Sequence, residues 1–88
     1  MESISIKLIN EEGLHARPAA IFVQVASKYS SDIWLESQGK KVDGKSIIGI
    51  MSLGAFHGED VIISAKGIDS KEAVEALKAL IINEFKVL

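Results

Sequence analysis

Ser3-Ile4-Ser5-Ile6-Lys7-Leu8 alternates polar and apolar side chains, and this alternation decides the class of fold. Successive side chains of a β-strand point to opposite faces of its sheet, so the segment is typical of a strand with one face buried and the other open to water. A sheet of that kind is covered by a second layer on one side only. We therefore expect strands with helices packed against one face.

The strand pattern returns in the middle of the chain and near its end. Residues 32–36 alternate in the same way, and residues 61–65 form the last expected strand. The glycine-containing turn at 37–40 is typical of a hairpin and predicts a short returning strand at 41–43. Trp34 alternates outward, so we expect it to be at least partly exposed, at a sheet edge.

Two helices in the second half of the chain have recognisable starts. Ser46 is a good N-cap for a brief helix that continues to Leu53 and stops at Gly54. Asp69, followed three residues later by Glu72, predicts a capping box at the start of the final helix. The core stripe of that helix is expected to comprise Ala73, Val74, Leu77, Leu80 and Ile81.

The first helix follows the segment Gly13-Leu14-His15-Ala16-Arg17-Pro18-Ala19-Ala20. We expect it at about residues 16–28, with Pro18 in its first turn, where a missing N–H costs nothing. Because Arg17 precedes a proline, that first turn is expected to be irregular. The apolar residues that follow the helical period are Ala19, Ala20, Val23 and Ala26.

The order of elements is thus β-α-β-β-α-β-α. It predicts an α+β fold, an open-faced β-sandwich in which a four-stranded antiparallel sheet carries three helices on one face. The chain has 88 residues, enough for a single domain over residues 1–88 but too few for a deep pocket in addition to a core.

Composition excludes several functional classes. The formal net charge is −2, so there is no basic surface for nucleic acid, and no apolar run approaches the roughly 20 residues of a membrane span. The chain has no cysteine, and His15 and His57 lack the spacing of a zinc site. We expect a cytoplasmic protein with no metal, no cofactor and no membrane insertion.

His15 is the residue best placed for chemistry. It falls at or just before the N-cap of the first helix, where the positive end of the helix dipole leaves a ring nitrogen free as a nucleophile and stabilises a bound phosphate. Arg17 adds a planar cation that matches phosphate oxygens. A His-x-Arg pair taken alone also fits a surface pair with no role.

Ser46 allows two interpretations as well. A serine before a helix is most often only a cap, yet a phosphate added there would meet free N–H groups. Residues 39–46 also match the G-x-x-x-x-G-K-S pattern of a phosphate-binding loop. That loop requires a buried parallel strand and a long helix, and neither is expected here, so nucleotide binding is not predicted.

The segment from Gly13 to Ala19 resembles the active-site signature of the HPr family, the histidine phosphocarriers of the bacterial sugar phosphotransferase system. Residues 44–54, Gly-Lys-Ser-Ile-Ile-Gly-Ile-Met-Ser-Leu-Gly, resemble its regulatory-serine segment in Gram-positive bacteria. The resemblance covers essentially the whole chain and implies the same fold. It implies that His15 accepts a phosphoryl group from enzyme I and passes it to sugar-specific IIA components.

The resemblance also implies roles for other residues. Arg17 and the N–H of Ala16 would hold the phosphoryl oxygens, and Ser46 would be a target of HPr kinase/phosphorylase. The residues expected to dock partner proteins are Ala20, Ile47, Ile48 and Met51. The alternative is a regulator that acts mainly as a serine-phosphorylated corepressor of a catabolite-control transcription factor; carrier function needs His15, and corepressor function needs Ser46.

Overall fold

The computed structural model describes residues 1–86. Its elements run β1 (Glu2–Lys7), α1 (Ala16–Ala26), β2 (Asp32–Ser37), β3 (Lys40–Asp43), α2 (Ile47–Ser52), β4 (Asp60–Lys66) and α3 (Ser70–Ile82). This confirms the expected β-α-β-β-α-β-α order. Within residues 1–86, no helix is both long enough and apolar enough to cross a membrane.

The four strands form one antiparallel sheet in the order β1-β4-β2-β3. Since β2 pairs on both sides, the expected edge position of Trp34 is wrong: Trp34 lies opposite Ser64 of β4 and Asp43 of β3. Its half-exposed ring lies on the face without helices, and Lys41 Nζ lies 5.1 Å from the ring centroid. The expected exposure is confirmed.

The three helices cover the other face of the sheet and enclose one hydrophobic core. Strand residues that point toward the helices, such as Ile33, Leu35 and Ile63, are almost completely buried. All five expected core residues of α3 are buried. The buried face of α1 was predicted only in part. Val23, expected on that face, is half-buried, whereas Phe22, which was not expected there, is fully buried.

The first helix ends two residues earlier than expected, at Ala26 with Ser27 as its C-cap. Backbone hydrogen bonds continue as single turns, from Lys28 N to the carbonyl of Val25. Lys45 Nζ donates to the Tyr29 carbonyl at 2.7 Å. A cation is favourable at this end because helix carbonyls there lack intrahelical partners.

The residues that match the phosphate-binding-loop pattern lie in a hairpin. Residues 40–43 form β3, antiparallel to β2, and the helix after Ser46 has only 6 residues. A nucleotide-binding loop has neither feature. The match is therefore accidental, as the sequence context indicates.

Asp69 corrects the expected capping box at the start of α3. It precedes α3, but its carboxylate makes no capping bond within the helix. Instead it accepts hydrogen bonds from the backbone N–H groups of Ser30 at 2.9 Å and Ser31 at 3.0 Å, and from the Ser31 hydroxyl. The Ser31 hydroxyl, followed by the Ser30 N–H, lowers the pKa of Asp69 to about 2. Asp69 thus ties the start of α3 to the segment before β2.

Asp69→Asn is expected to lower the melting temperature at neutral pH, because the amide is a weaker acceptor for these donors. A carboxyl with a depressed folded-state pKa stabilises the fold above its ordinary pKa of 3.8, and this stabilisation is lost as the pH falls through about 2. The difference between the melting temperatures of wild type and variant should shrink over that range. Asp32→Asn, which removes an exposed carboxylate, is the control; a pH-independent difference between wild type and Asp69→Asn would contradict the prediction.

Candidate functional site

His15 lies where the sequence predicts it, at the N-cap of α1. Its backbone is extended, with φ −104° and ψ 152°, and its exposed side chain makes no capping hydrogen bond. The first N–H groups of a helix have no partner within the helix. The site therefore combines a free imidazole with backbone donors and the positive end of a helix dipole.

Ala16 carries the irregularity that was expected in the first turn of α1. Its φ is +38°, a left-handed value that costs a non-glycine residue about 1–2 kcal/mol. The residue before a proline is biased away from helical geometry, yet Arg17 lies inside α1 and the distortion falls one position earlier. The chain consequently turns sharply immediately after His15.

The loop before His15 is fixed by hydrogen bonds. Gly13 adopts φ +61°, and its N–H donates to the Asn10 carbonyl at 3.2 Å. The Asn10 side-chain amide donates back to the Gly13 carbonyl at 2.8 Å. The N–H of Leu14 donates to the Ala55 carbonyl at 3.0 Å, and the Leu14 side chain is buried. The segment after α2 therefore supports the loop that presents His15.

His15 opens onto a shallow cleft of about 220 Å³ between this loop and the end of α2. Met51 and Phe56 line it with His15, so the start of α1 lies beside the C-terminal end of α2. Phe56 is 70% exposed and was not among the predicted site residues. An exposed aromatic residue in a loop was the only sequence signal for it.

Arg17 lines a neighbouring cleft of about 350 Å³ rather than the cleft of His15. This second cleft is closed by the segment after α3, where Glu84 and Phe85 have φ of 55° and 60°. The left-handed turn returns the Phe85 side chain to the core. Glu12 lines both clefts. The structure thus places His15 and Arg17 on adjacent surfaces that share one carboxylate.

The second helix presents apolar side chains to solvent. Ile48 is 78% exposed and Ile47 41%, and Met51 is also exposed, whereas Ile50 is fully buried. Two turns of helix cannot turn all four side chains inward. Ala20, on α1, is half-buried. Exposed apolar side chains grouped in this way are typical of protein docking surfaces.

Ser46 acts as the N-cap of α2, as expected: its Oγ accepts a hydrogen bond from the Gly49 N–H at 3.1 Å. The residue is half-buried and lies between the end of β3 at Asp43 and the start of α2 at Ile47. Within residues 1–86, no three histidine or carboxylate side chains are grouped so that they could hold a metal ion.

Comparison with known proteins identifies the family to which the chain belongs. The family model described as the PTS HPr component phosphorylation site matches residues 2–83. The structure resembles that of HPr-C-His from Thermoanaerobacter tengcongensis, with 54% sequence identity, 100% of both chains covered and a TM-score of 0.95. The chain belongs to the HPr family of phosphocarriers of the phosphotransferase system (PTS).

Two other similar structures come from Bacillus species. The phosphocarrier protein HPr from Bacillus anthracis str. Ames is 44% identical, with 91% of this chain and 95% of that chain covered and a TM-score of 0.88. The Bacillus subtilis catabolite repression containing protein Crh is also 44% identical, with coverages of 99% and 100% and a TM-score of 0.77. The family therefore includes a relative linked by its name to catabolite repression.

Proposed function

We propose that this chain is a phosphoryl carrier that receives its phosphoryl group from enzyme I on His15 and delivers it to sugar-specific IIA components. One observation carries the proposal: the His15 imidazole is exposed at the N-terminus of α1 and makes no capping hydrogen bond. Family membership supplies the class of chemistry. The carrier would act in the cytoplasm and would need neither a metal nor a cofactor for the transfer.

In the proposed transfer, Nδ1 of neutral His15, the attacking atom that family resemblance implies, bonds to phosphorus. The bond from phosphorus to the donor imidazole of enzyme I breaks, and its electron pair returns to that imidazole. The first-turn N–H groups of Ala16 and Arg17 and the Arg17 guanidinium would then hold the phosphoryl oxygens. Positioning and fixed charge would suffice to promote the transfer, because the reaction involves no further covalent step on the protein.

The exposed side chains of α2 suit the role of a docking surface for both partners. Ile47, Ile48 and Met51 would bury apolar area against enzyme I and IIA components, with Ala20 at the margin on α1. Met51 also lines the His15 cleft, so a partner on this surface covers the nucleophile. Phe56, which is also exposed, adds apolar area to the same cleft.

The proposal is tested by incubating the protein with phosphoenolpyruvate, Mg²⁺ and a bacterial enzyme I, followed by intact mass measurement. We expect one acid-labile phosphoryl adduct, located on His15 by peptide fragmentation. Addition of a IIA component should discharge it. The absence of an adduct, or an adduct on another residue, would overturn the carrier function.

Arg17→Ala is expected to slow both transfers by about a hundredfold, the lower end of the range for removal of one preorganised hydrogen-bond donor. Some His15 phosphorylation should persist because the helix N–H groups remain. Arg17→Lys keeps a charge but loses the planar fork, so its rate should be intermediate. Rapid-quench measurement of phosphoryl transfer checks this; wild-type rates in Arg17→Ala would exclude Arg17 from the mechanism.

We also propose that Ser46 is phosphorylated by HPr kinase/phosphorylase and links the carrier to carbon catabolite control. Its position at the N-cap of α2 favours this, because a phosphate there would meet the free N–H groups of the helix. The second candidate function, a corepressor that binds a catabolite-control transcription factor, is favoured by similarity to Crh. Since His15 and Arg17 are both present, carrier function is the primary proposal.

Ser46→Asp is expected to reduce the rate of phosphorylation by enzyme I by about tenfold, because a charge beside Ile47 and Ile48 opposes apolar docking. Ser46→Asn is the matched control: both residues are good N-caps, and only the aspartate carries a charge. Both variants should melt close to the wild type. Equal rates for the two variants in the enzyme I assay would refute the effect of charge.

A further inference from the structure

Glu12 is an exposed residue in the loop between β1 and α1, and it borders both clefts of the site. It lines the His15 cleft with Met51 and Phe56, and it lines the Arg17 cleft with Glu84. Its neighbour Glu11 is equally a carboxylate but lines neither cleft. Glu12 therefore occupies a position between the nucleophile and the cation expected to hold its product.

The charges around Glu12 are balanced until a phosphoryl group arrives. The carboxylates of Glu12 and Glu84 face the cations Arg17 and Lys86 around the larger cleft. A phosphoryl group on His15 adds about −1.5 to −2 charges to the adjoining cleft. A carboxylate at the border of that cleft repels the added charge.

We propose that Glu12 raises the phosphoryl-transfer potential of phosphorylated His15, so that the protein gives up its phosphoryl group more readily than a variant that is neutral at this position. This inference rests on the proposed function, because it concerns the phosphorylated state of His15. Glu12 is a positioning and tuning residue: it acts on the charge of the product, and no bond is made to it.

A carrier gains from such a residue because it has to be both an acceptor and a donor. The helix N-terminus and Arg17 both stabilise the phosphorylated form, and excessive stabilisation would trap the phosphoryl group. A carboxylate at the border of the two clefts offsets part of that stabilisation. Across a solvated cleft, repulsion of this kind corresponds to about a threefold change in the equilibrium constant at low salt.

The test measures the equilibrium constant for reversible transfer of the phosphoryl group from phosphorylated enzyme I to the carrier. The ratio of phosphoenolpyruvate to pyruvate is fixed, and the phosphorylated fraction of His15 is read by mass spectrometry. Glu12→Gln should shift the equilibrium constant about threefold toward the phosphorylated carrier. The shift should shrink in concentrated NaCl, because salt screens the repulsion.

Glu11→Gln is the matched control, since it removes the same charge from the adjacent residue. It should shift the equilibrium much less than Glu12→Gln. Equal shifts for the two variants, no shift, or a shift that salt does not reduce would overturn the inference. Failure of the proposed function looks different, because the wild type would then show no phosphorylation of His15. Since Glu12 is exposed, the melting temperature should stay unchanged.

Discussion

Replacing His15 by alanine is expected to abolish the acid-labile phosphoryl adduct that we expect enzyme I to form on the wild type. No other group at the start of α1 can take its place as a nucleophile, because Ala16 has no functional side chain and the Arg17 guanidinium is always protonated. The loss should be complete rather than partial. Mass measurement after incubation with phosphoenolpyruvate and enzyme I provides the readout.

The fold should survive this substitution, which makes the result interpretable. The His15 side chain is exposed and makes no capping hydrogen bond, so its removal costs the helix no hydrogen bond at its N-cap. His57→Ala is the matched control. The His57 ring lies outside the His15 cleft, with Nδ1 3.3 Å from the Asn10 carbonyl oxygen, and its loss should leave the adduct intact. An adduct that disappears only with His57 would reverse the assignment of the nucleophile.

Gly13→Ala is expected to destabilise the protein by about 3 kcal/mol, from left-handed strain together with overpacking. Gly13 has φ +61°, and a Cβ built there would lie 2.5 Å from the Ala55 carbonyl oxygen. That oxygen accepts the N–H of Leu14, so the clash falls on the contact that supports the His15 loop. Phosphorylation of the folded fraction should slow as well, because the loop has to shift.

Gly54→Ala separates the two causes of this loss. Gly54 also has φ +61°, but a Cβ there would meet nothing within 4 Å. Gly54→Ala should therefore lower the free energy of unfolding only by the cost of the left-handed backbone conformation, about 1–2 kcal/mol. Denaturant titrations of both variants give the comparison. Equal losses of unfolding free energy would show that the contact between Gly13 and Ala55 is not tight in solution.

The elements of the fold were predictable because their signals are local. Alternation in β1 and β2, the cap at Ser46 and the stripe of α3 each depend on residues a few positions apart. Strand order depends on contacts between distant segments, and for that reason Trp34 was placed wrongly at an edge. The prediction of a capping box at Asp69 failed for the same reason. The carboxylate accepts hydrogen bonds from Ser30 and Ser31, which are distant in sequence, and not from its own helix.

The site was predictable to the same extent. His15, Arg17 and Ser46 stand in short motifs beside helix starts, and each lies at the expected end of its helix. Glu12 and Phe56 reach the site only through folding of two loops against each other. Phe85 reaches the core because Glu84 and Phe85 itself both adopt left-handed backbone angles. Neither residue is glycine, so no local sequence rule predicts this turn.

The pairing of β1 with β4 has a consequence for the order in which the protein matures. Glu2 lies opposite Ala65 and Lys7 opposite Asp60, so within the described sheet β1 pairs only with β4, more than fifty residues later in the chain. During synthesis on a ribosome, β1 stays unpaired until β4 has left the exit tunnel. Leu14 obtains its partner at Ala55 in that same late stage. His15, the proposed nucleophile, is therefore synthesised early, and the contacts that support its loop form among the last steps of folding.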